Sequence, residues 1–145
     1  MKTKGTLFSV MKFGRLARRT VIYPLMLATV LTTVGKAWIV DKMDGTVATK
    51  PEWIAWGTGA GTAAIGDTTL FTEASESRVQ ATMTQPAADT CRAVATITAS
   101  AGKTITNAGS FTASSAGTLI VKGDFTGVVL LTGDSIQFTI DIQIT

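Results

Sequence analysis

The sequence contains no histidine and a single cysteine, Cys91, among its 145 residues. The lack of histidine excludes His-based acid–base catalysis, Ser-His and Cys-His nucleophiles, and His-rich zinc sites. One cysteine cannot form an intrachain disulfide, so stability must come from core burial or from assembly. We therefore predict a protein that is not an enzyme, with no catalytic residues, no metal and no cofactor.

Charged residues are also scarce, at 16%, whereas hydrophobic residues reach 46%. Apolar content this high and charge this low exclude a disordered chain. Uncharged polar groups must cover much of the surface, and the 26 threonines supply many of them. The length allows one domain plus an arm.

The small net charge hides a strong asymmetry between the two parts of the chain. Residues 1–50 carry nine basic and two acidic side chains, a net charge of +7, whereas residues 51–145 carry four basic and eight acidic ones, a net charge of −4. A basic segment on an acidic body can bind nucleic acid, a membrane surface or an acidic groove on a partner protein. No recognised nucleic-acid motif occurs, so we expect no specific nucleic-acid recognition.

Residues 20–43 are apolar around most of a helical circumference, which predicts one long buried helix. Its threonines at positions 29, 32 and 33 and Lys36 form one narrow polar stripe. Pro24 fits the first turn of such a helix, and the pair Asp44–Gly45 predicts its end.

Three interpretations of this segment remain open. A membrane span is disfavoured, because the uncharged run from residue 20 to residue 35 falls short of the roughly 20 apolar residues that a bilayer crossing needs. A signal peptide fits the basic start, the apolar middle and the triplet Gly35-Lys36-Ala37. We favour a helix buried against other subunits of an assembly, since Met1 is retained ahead of the segment.

Residues 46–145 are rich in glycine, threonine and alanine, and short alternating runs predict six or seven strands. The clearest is Ser135–Thr145, a half-buried strand in which Ile136, Phe138, Ile140, Ile142 and Ile144 share one face that we expect to be buried in the core. The other predicted strands are Glu52–Trp56, Arg78–Thr84, Arg92–Ala99, Thr104–Asn107, Thr118–Lys122 and Val128–Leu131, with a turn at Lys122–Gly127. The fold class is therefore mainly β, a small antiparallel β-sandwich preceded by an N-terminal arm and one apolar helix.

Two runs resemble functional motifs without matching them. The glycines of Trp56–Gly61 miss both phosphate-binding spacings, and no lysine or hydrophobic helix follows them, so we predict a tightly turned strand exit. Asp67, Glu73 and Glu76 form the clearest acidic cluster, but its spacing matches no calcium loop. We expect Asp67 to cap a turn and the two glutamates to lie on a solvated face.

The remaining candidates for chemistry are Cys91 and the tryptophans. The neighbouring Arg92 could lower the pKa of the Cys91 thiol, but a lone cysteine at a strand start is usually a small core residue. Trp38, Trp53 and Trp56 could form a sugar-binding platform, but core and interface packing is the commoner role of such aromatics.

Several runs in residues 35–145 resemble small structural proteins of tailed-bacteriophage virions. The runs that carry this resemblance are Pro51–Gly59, Asp67–Leu70 with Thr72–Glu73, Ile105–Phe111, Lys122–Phe125 and Leu131–Phe138. The resemblance implies a non-enzymatic part of a virion, either capsid-decorating (cement) or tail-fibre-like. It implies no catalytic residues.

From these observations we expect a capsid decoration protein that binds the major capsid protein or other virion subunits and stabilises the shell. Assembly would take place in the bacterial host cytoplasm. A homo-oligomer is expected, with a trimer as one arrangement, and no small-molecule substrate. A tail, baseplate or head–tail junction component is the alternative within this class, and a membrane-anchored or secreted adhesion module is the alternative from another.

We predict that residues 1–45, the N-terminal arm with its helix, anchor the protein to its partner. Residues 46–145 are predicted to form the β-sandwich. The arm would bind by apolar burial and by basic contacts to acidic shell surfaces. Its predicted partner-binding residues are Lys12, Phe13, Arg15, Arg18, Arg19, Leu25, Leu31 and Trp38. On this view, deleting residues 2–34 should abolish incorporation into particles while leaving the sandwich folded.

Overall fold

The computed structural model describes residues 8–13, 21–23 and 28–144, with side chains described from residue 29 onward. Within these residues the chain forms two antiparallel five-stranded sheets and one helix. The first sheet has the strand order β2-β1-β10-β7-β6, and the second has the order β3-β9-β8-β4-β5. The elements are β1 (Phe8–Phe13), β2 (Val21–Tyr23), β3 (Ala28–Leu31), α1 (Thr33–Met43), β4 (Trp53–Gly57), β5 (Val79–Gln80), β6 (Thr82–Ala87), β7 (Thr90–Thr98), β8 (Lys103–Phe111), β9 (Leu119–Leu130) and β10 (Ser135–Gln143).

The inner faces of the two sheets form one hydrophobic core, which confirms the predicted β-sandwich. Fully buried side chains of β10, such as Phe138 and Ile140, belong to the same cluster as Ile54 and Trp56 of β4. The rings of Trp56 and Phe138 meet edge to face, with centroids 6.1 Å apart. A pair of this geometry adds roughly 0.5–1.5 kcal/mol to the burial of the two rings.

The period-two pattern of β10 predicts its buried face correctly over most of its length. Ile136, Phe138 and Ile140 are fully buried, whereas Ile142 is half-buried and Ile144 is 45% exposed. The prediction that all five residues bury is wrong for the last two. Both line a groove, and Ile142 also packs against the edge of the core.

The prediction of one helix over residues 20–43 is wrong in its first half. Val21–Tyr23 and Ala28–Leu31 are strands, and the helix covers only Thr33–Met43. An apolar run without polar gaps is compatible with a buried strand as well as with a helix, and β-branched residues favour the strand. Thr32 then starts the helix, because its Oγ1 accepts a hydrogen bond from the Gly35 amide at 2.9 Å.

Part of the predicted arm belongs to the sandwich itself. In β1, Phe8 pairs with Ile140 and Phe13 with Ser135, while β3 pairs with β9 from Ala28 to Leu31. Strands from before residue 46 therefore take part in both sheets. Deleting residues 2–34 would remove them, so we now expect that deletion to destabilise the sandwich rather than leave the body folded.

Two predicted strand boundaries are also corrected. The predicted turn at Lys122–Gly127 lies inside β9, which runs unbroken from Leu119 to Leu130 and absorbs its extra residues as a register shift opposite β8. The single strand predicted over Arg78–Thr84 is divided at the buried Ala81, so that β5 joins one sheet and β6 the other.

Candidate partner-binding groove

Helix α1 is fixed against β9 by a close backbone approach at its first turn. A Cβ atom added to Gly35 would lie 2.5 Å from the carbonyl oxygen of Ile120, so only glycine allows this packing. The buried Thr32 donates from its hydroxyl to the Leu119 carbonyl at 2.6 Å, and its amide donates to Ile120 O at 3.1 Å. The first turn of the helix is thus held firmly against β9.

The loop after α1 is held by side chains of the helix. The Lys42 ammonium donates to the carbonyl oxygens of Val47, Ala48 and Thr49 at 3.0–3.3 Å, and the indole Nε1 of Trp38 donates to Thr49 Oγ1 at 3.1 Å. Lysine near a helix C-terminus commonly makes such contacts with carbonyls. Here the Lys42 ammonium is bonded to the carbonyls of the chain's own loop.

The opposite wall consists of the β6–β7 hairpin and the last residues of β10. Asp89, in the hairpin, accepts a hydrogen bond from Gln143 Nε2 at 2.8 Å, and its carbonyl accepts from the Ile144 amide at 2.9 Å. The Gln143 and Thr90 hydrogen bonds lower the pKa of Asp89 below its ordinary value. Its carboxylate is therefore ionised and engaged at neutral pH.

Between these walls lies an open, mainly apolar cavity of about 790 Å³, which we call the groove. The residues that line it are Trp38, Ile39, Lys42, Met43, Pro51, Gln85, Ala88, Asp89, Thr90, Cys91, Ile120, Ile142 and Ile144. At its rim Met43 is 81% exposed and Ile144 is 45% exposed. Because its charged members make internal hydrogen bonds, the groove offers a partner mostly apolar contact.

Cys91 lies in the groove rather than in the core, so the expectation of a core residue is wrong. Partial burial and the nearby negative charge of Asp141 raise the pKa of its thiol. Arg92 does not lower it, because the guanidinium binds Asp141 through two contacts of 2.7 Å. The thiol is therefore neutral near pH 7 and contributes apolar surface to the groove.

The prediction that Glu76 lies on a solvated face is wrong. Its carboxylate is at the centre of a polar cluster. Its side chain is 7% exposed and accepts hydrogen bonds from Trp56 Nε1 at 3.0 Å, from the Ser100 amide and hydroxyl, and from Lys103. Burial alone would raise the pKa of Glu76, but these donors outweigh it and hold the pKa far below its ordinary value. The carboxylate ties the 73–78 segment to the turn after β7.

The other two acidic residues also make structural contacts. Glu73 forms a two-contact ion pair with Arg78, whose guanidinium lies 3.4 Å from the centre of the Phe111 ring. Asp67 accepts from the Ala64 amide at 3.0 Å, as a turn cap does, and also from the buried Lys122 at 2.8 Å. Burial works against these bonds, yet the pKa of Asp67 is lowered. All three carboxylates therefore hold the fold together.

The glycine-rich run after β4 packs against the segment that returns at Phe71. The Gly59 amide donates to Phe71 O at 2.9 Å, and a Cβ atom on Gly59 would meet Thr72 Oγ1 at 2.7 Å. The predicted tight strand exit is confirmed. The glycines are needed because two backbone segments approach closely there.

The tryptophans pack as predicted, with different partners. Trp56 is fully buried in the core, and Trp53 packs against a second cluster that contains Phe111 and Leu119. Trp38 lies in the groove wall. The three do not form a shared platform.

The structure places the predicted partner-binding residues in different environments. Trp38 lines the groove, but Leu31 is a buried core residue of β3 and is not available to a partner. Lys12 and Phe13 belong to β1, where they pair with Ile136 and Ser135. Arg15, Arg18, Arg19 and Leu25 lie outside the described residues.

The exposed groove residues Met43 and Ile144 are absent from that prediction. Met43 ends a segment whose pattern predicts burial around most of its circumference, and Ile144 continues a core-type alternation. No local signal marks either residue as exposed.

Within residues 8–13, 21–23 and 28–144, no helix has the length and apolar character needed to cross a membrane. The same residues contain no cluster of potential metal ligands. No family model matches the chain, and neither curated proteins nor solved structures include a significant match.

Proposed function

We propose that this chain is a non-enzymatic structural protein of a tailed-bacteriophage virion that decorates the capsid and binds the major capsid protein through the groove. The observation that carries the proposal is the apolar groove itself, with Met43 and Ile144 exposed at its rim. Exposed apolar surface with a polar surround is characteristic of protein–protein contact sites.

The chemistry around the groove favours a protein partner over a polar small molecule. Lys42 is committed to three loop carbonyls, and Asp89 to Gln143 and the hairpin. Affinity must then come mainly from buried apolar area, at roughly 25 cal/mol per Å² before the costs of association. A side chain of a partner subunit, such as leucine or phenylalanine, satisfies this chemistry.

The architecture is consistent with the same role. The walls of the groove are held by Gly35, by the Lys42 contacts and by the Asp89 contacts, so a partner meets a preformed surface. Preformed surfaces lose less entropy on binding than surfaces that must order. The resemblance of residues 35–145 to virion structural proteins supports a virion as the assembly that this chain joins.

The first experiment is quantitative mass spectrometry of phage particles purified from the source of this chain. A capsid decoration protein should be present at a level comparable with that of the major shell protein. A few copies per particle would instead favour a tail, baseplate or head–tail junction component. Absence from particles would overturn the proposal and favour the adhesion module.

The second experiment tests the groove directly with Ile144→Glu. A charged side chain at the rim should reduce incorporation into particles at least tenfold, because it places an unpaired charge against an apolar partner. The matched control is Leu131→Glu, a change at a 68% exposed residue beyond the opposite end of β10. Equal incorporation of both variants would contradict the role of the groove.

A further inference from the structure

One face of α1 points to solvent and is centred on an apolar residue. Thr33, Lys36, Ala37, Val40, Met43 and Asp44 are all exposed and share a helical stripe of about 120°, which we call the outer face of α1. Val40 lies in the middle of this stripe and is 61% exposed. The helix thus has apolar residues on its packed side and on its solvent side, a pattern typical of a helix buried on both.

We infer that the outer face of α1 is the contact surface for a second copy of this chain, packed as an antiparallel helix pair about a two-fold axis at Val40. In such a pair, residue n of one copy lies opposite residue 80 − n of the other copy. Val40 therefore meets Val40 of the second copy, and Ala37 meets Met43. A two-fold contact of this kind requires a patch that is complementary to itself.

The charges on the outer face satisfy that requirement. Lys36 lies opposite Asp44 in this arrangement, so each dimer contains two identical pairs of opposite charge at the two ends of the contact. The Asp44 carboxylate accepts hydrogen bonds from the amide and hydroxyl of Thr46 through its Oδ1 atom, and these lower its pKa. It is therefore ionised at neutral pH, and both of these hydrogen bonds use Oδ1, which leaves Oδ2 for a contact with lysine.

The sizes of the side chains fit as well. The small Ala37 faces the long Met43, so the two helices can approach closely on either side of the Val40 pair. Ile65, which is 59% exposed, extends the apolar surface beside the first turn, because its carbonyl accepts a hydrogen bond from the Thr33 amide at 2.7 Å. An alanine opposite a methionine is the large–small alternation that packed helices use.

The contact is small, which sets its expected strength. With the axis at Val40, residues 37–43 of each helix face the other helix, a length of about 10 Å, so the pair buries less area than a standard specific interface. We therefore expect a weak dimer, formed in solution at tens to hundreds of micromolar and strengthened where copies are concentrated on a surface. The inference does not depend on the virion assignment, and the outer face of α1 shares one residue, Met43, with the rim of the groove.

Analytical ultracentrifugation of the full chain over a wide concentration range tests the dimer. Wild type should shift reversibly from monomer to dimer, and Val40→Glu should raise the dissociation constant at least 100-fold, because it places two carboxylates face to face on the axis. Leu131→Glu is the matched control, since it adds the same charge at an exposed apolar residue outside α1 and should leave the dissociation constant unchanged.

Charge reversal distinguishes this geometry from unspecific association. Lys36→Glu should raise the dissociation constant about tenfold by opposing two like charges, and Asp44→Lys should do the same. The double variant restores the opposite charges and should return close to wild type. Asp44→Asn retains the acceptor for Thr46 and controls for loss of that turn, which circular dichroism and thermal melting report separately.

Three outcomes would overturn the inference. Wild type could remain monomeric at the highest concentration, Val40→Glu could associate as wild type does, or the double variant could be no better than the single ones. If wild type is monomeric and Val40→Glu nevertheless lowers particle incorporation, the outer face of α1 binds a different protein. In that case the self-association model is rejected.

Discussion

Two regions of the molecule use their residues in opposite ways. The loop of residues 58–72, which we call the pinned loop, is attached to the second sheet by many polar contacts and by the buried side chain of Leu70. The groove exposes apolar groups while its charged residues bond within the chain, and the outer face of α1 exposes Val40 and Met43 alongside Lys36 and Asp44. The first region carries Asp67 and several glycines, which resemble parts of functional motifs, yet the second is the one with surface available to a partner.

The contacts of the pinned loop explain its role. Its Ala63 amide donates to Asp124 at 2.7 Å, Asn107 bonds both the amide and the carbonyl of Phe71, and Lys122 bonds Asp67 and the Thr69 carbonyl. The Lys122 ammonium also lies 3.1 Å from the centre of the Phe71 ring. Asp67, Lys122 and Asp124 all make contacts that attach the loop to the sheet. Charged residues near a glycine-rich run therefore do not indicate a reactive site here.

The contrast with the groove is thermodynamic. Breaking a polar contact in the pinned loop leaves a buried group without its partner and lowers the free energy of unfolding. Changing an exposed apolar residue at the groove costs little folding energy but alters what the surface can bind. Variants in the two regions should therefore separate stability from assembly, and the following predictions are ordered from the largest expected effect on stability.

Ile140→Asp should abolish folding, because it places an unpaired charge at a fully buried position in the core between the two sheets. The expected loss exceeds about 4 kcal/mol in the free energy of unfolding. Circular dichroism and urea titration measure it. The control is Thr139→Asp on the half-buried opposite face of β10, which should stay folded; a folded Ile140→Asp would show that the register of β10 is wrong.

Lys122→Met should lower the free energy of unfolding by about 3 kcal/mol, because it removes one partner of a largely buried ion pair. Hydrogen exchange should become faster at the amides of residues 58–72 in particular. Lys50→Met changes an exposed lysine and serves as the control. If exchange in the pinned loop does not change, the Lys122 contacts do not attach it.

Glu76 should make stability depend on acidic pH. Its pKa is lowered in the folded chain, so its contribution is fully present above the ordinary glutamate value of 4.5 and is lost as the pH falls below that value. Glu76→Gln should therefore cost about 2 kcal/mol at pH 7 and progressively less towards pH 3. Denaturant titrations of both proteins at several pH values give the difference, and a pH-independent difference would contradict this cause.

Ile144→Glu should change the free energy of unfolding by less than about 0.5 kcal/mol, because the side chain is already substantially exposed. Thermal melting checks this directly. Together with a large loss of particle incorporation, the result would separate assembly from stability. A large loss of stability would mean that the groove is part of the core and would weaken its proposed role.

How far the sequence predicted these features depends on how local their causes are. The strict alternation of β10 predicts its buried face correctly through Ile140, because side-chain direction alternates in any strand. The apolar run before Thr32 gives no such signal, since continuous hydrophobicity fits a buried strand and a helix equally well. The helix prediction failed there for that reason.

The candidate site was predicted less well than the fold. Trp38 was anticipated as a contact residue, but Leu31 was assigned to a partner and is instead buried in the chain's own core. Glu76 looked like a surface residue, because nothing near it in sequence reveals that Trp56, Ser100 and Lys103 converge on it. Such convergence arises from strand pairing between distant segments.

The sequence by itself determined that the chain lacks histidine chemistry and an intrachain disulfide, that its later part consists of strands, and that its basic charge is concentrated before residue 51. Composition and period-two patterning are local properties, so they survive without knowledge of the fold. Only the tertiary structure decided which apolar residues remain exposed. Ile140 and Ile144 belong to the same alternating run of sequence, yet the first lies in β10 and faces the opposite sheet, whereas the second lies just beyond β10 and lines the groove. Exposure depends on what lies across from a residue in space.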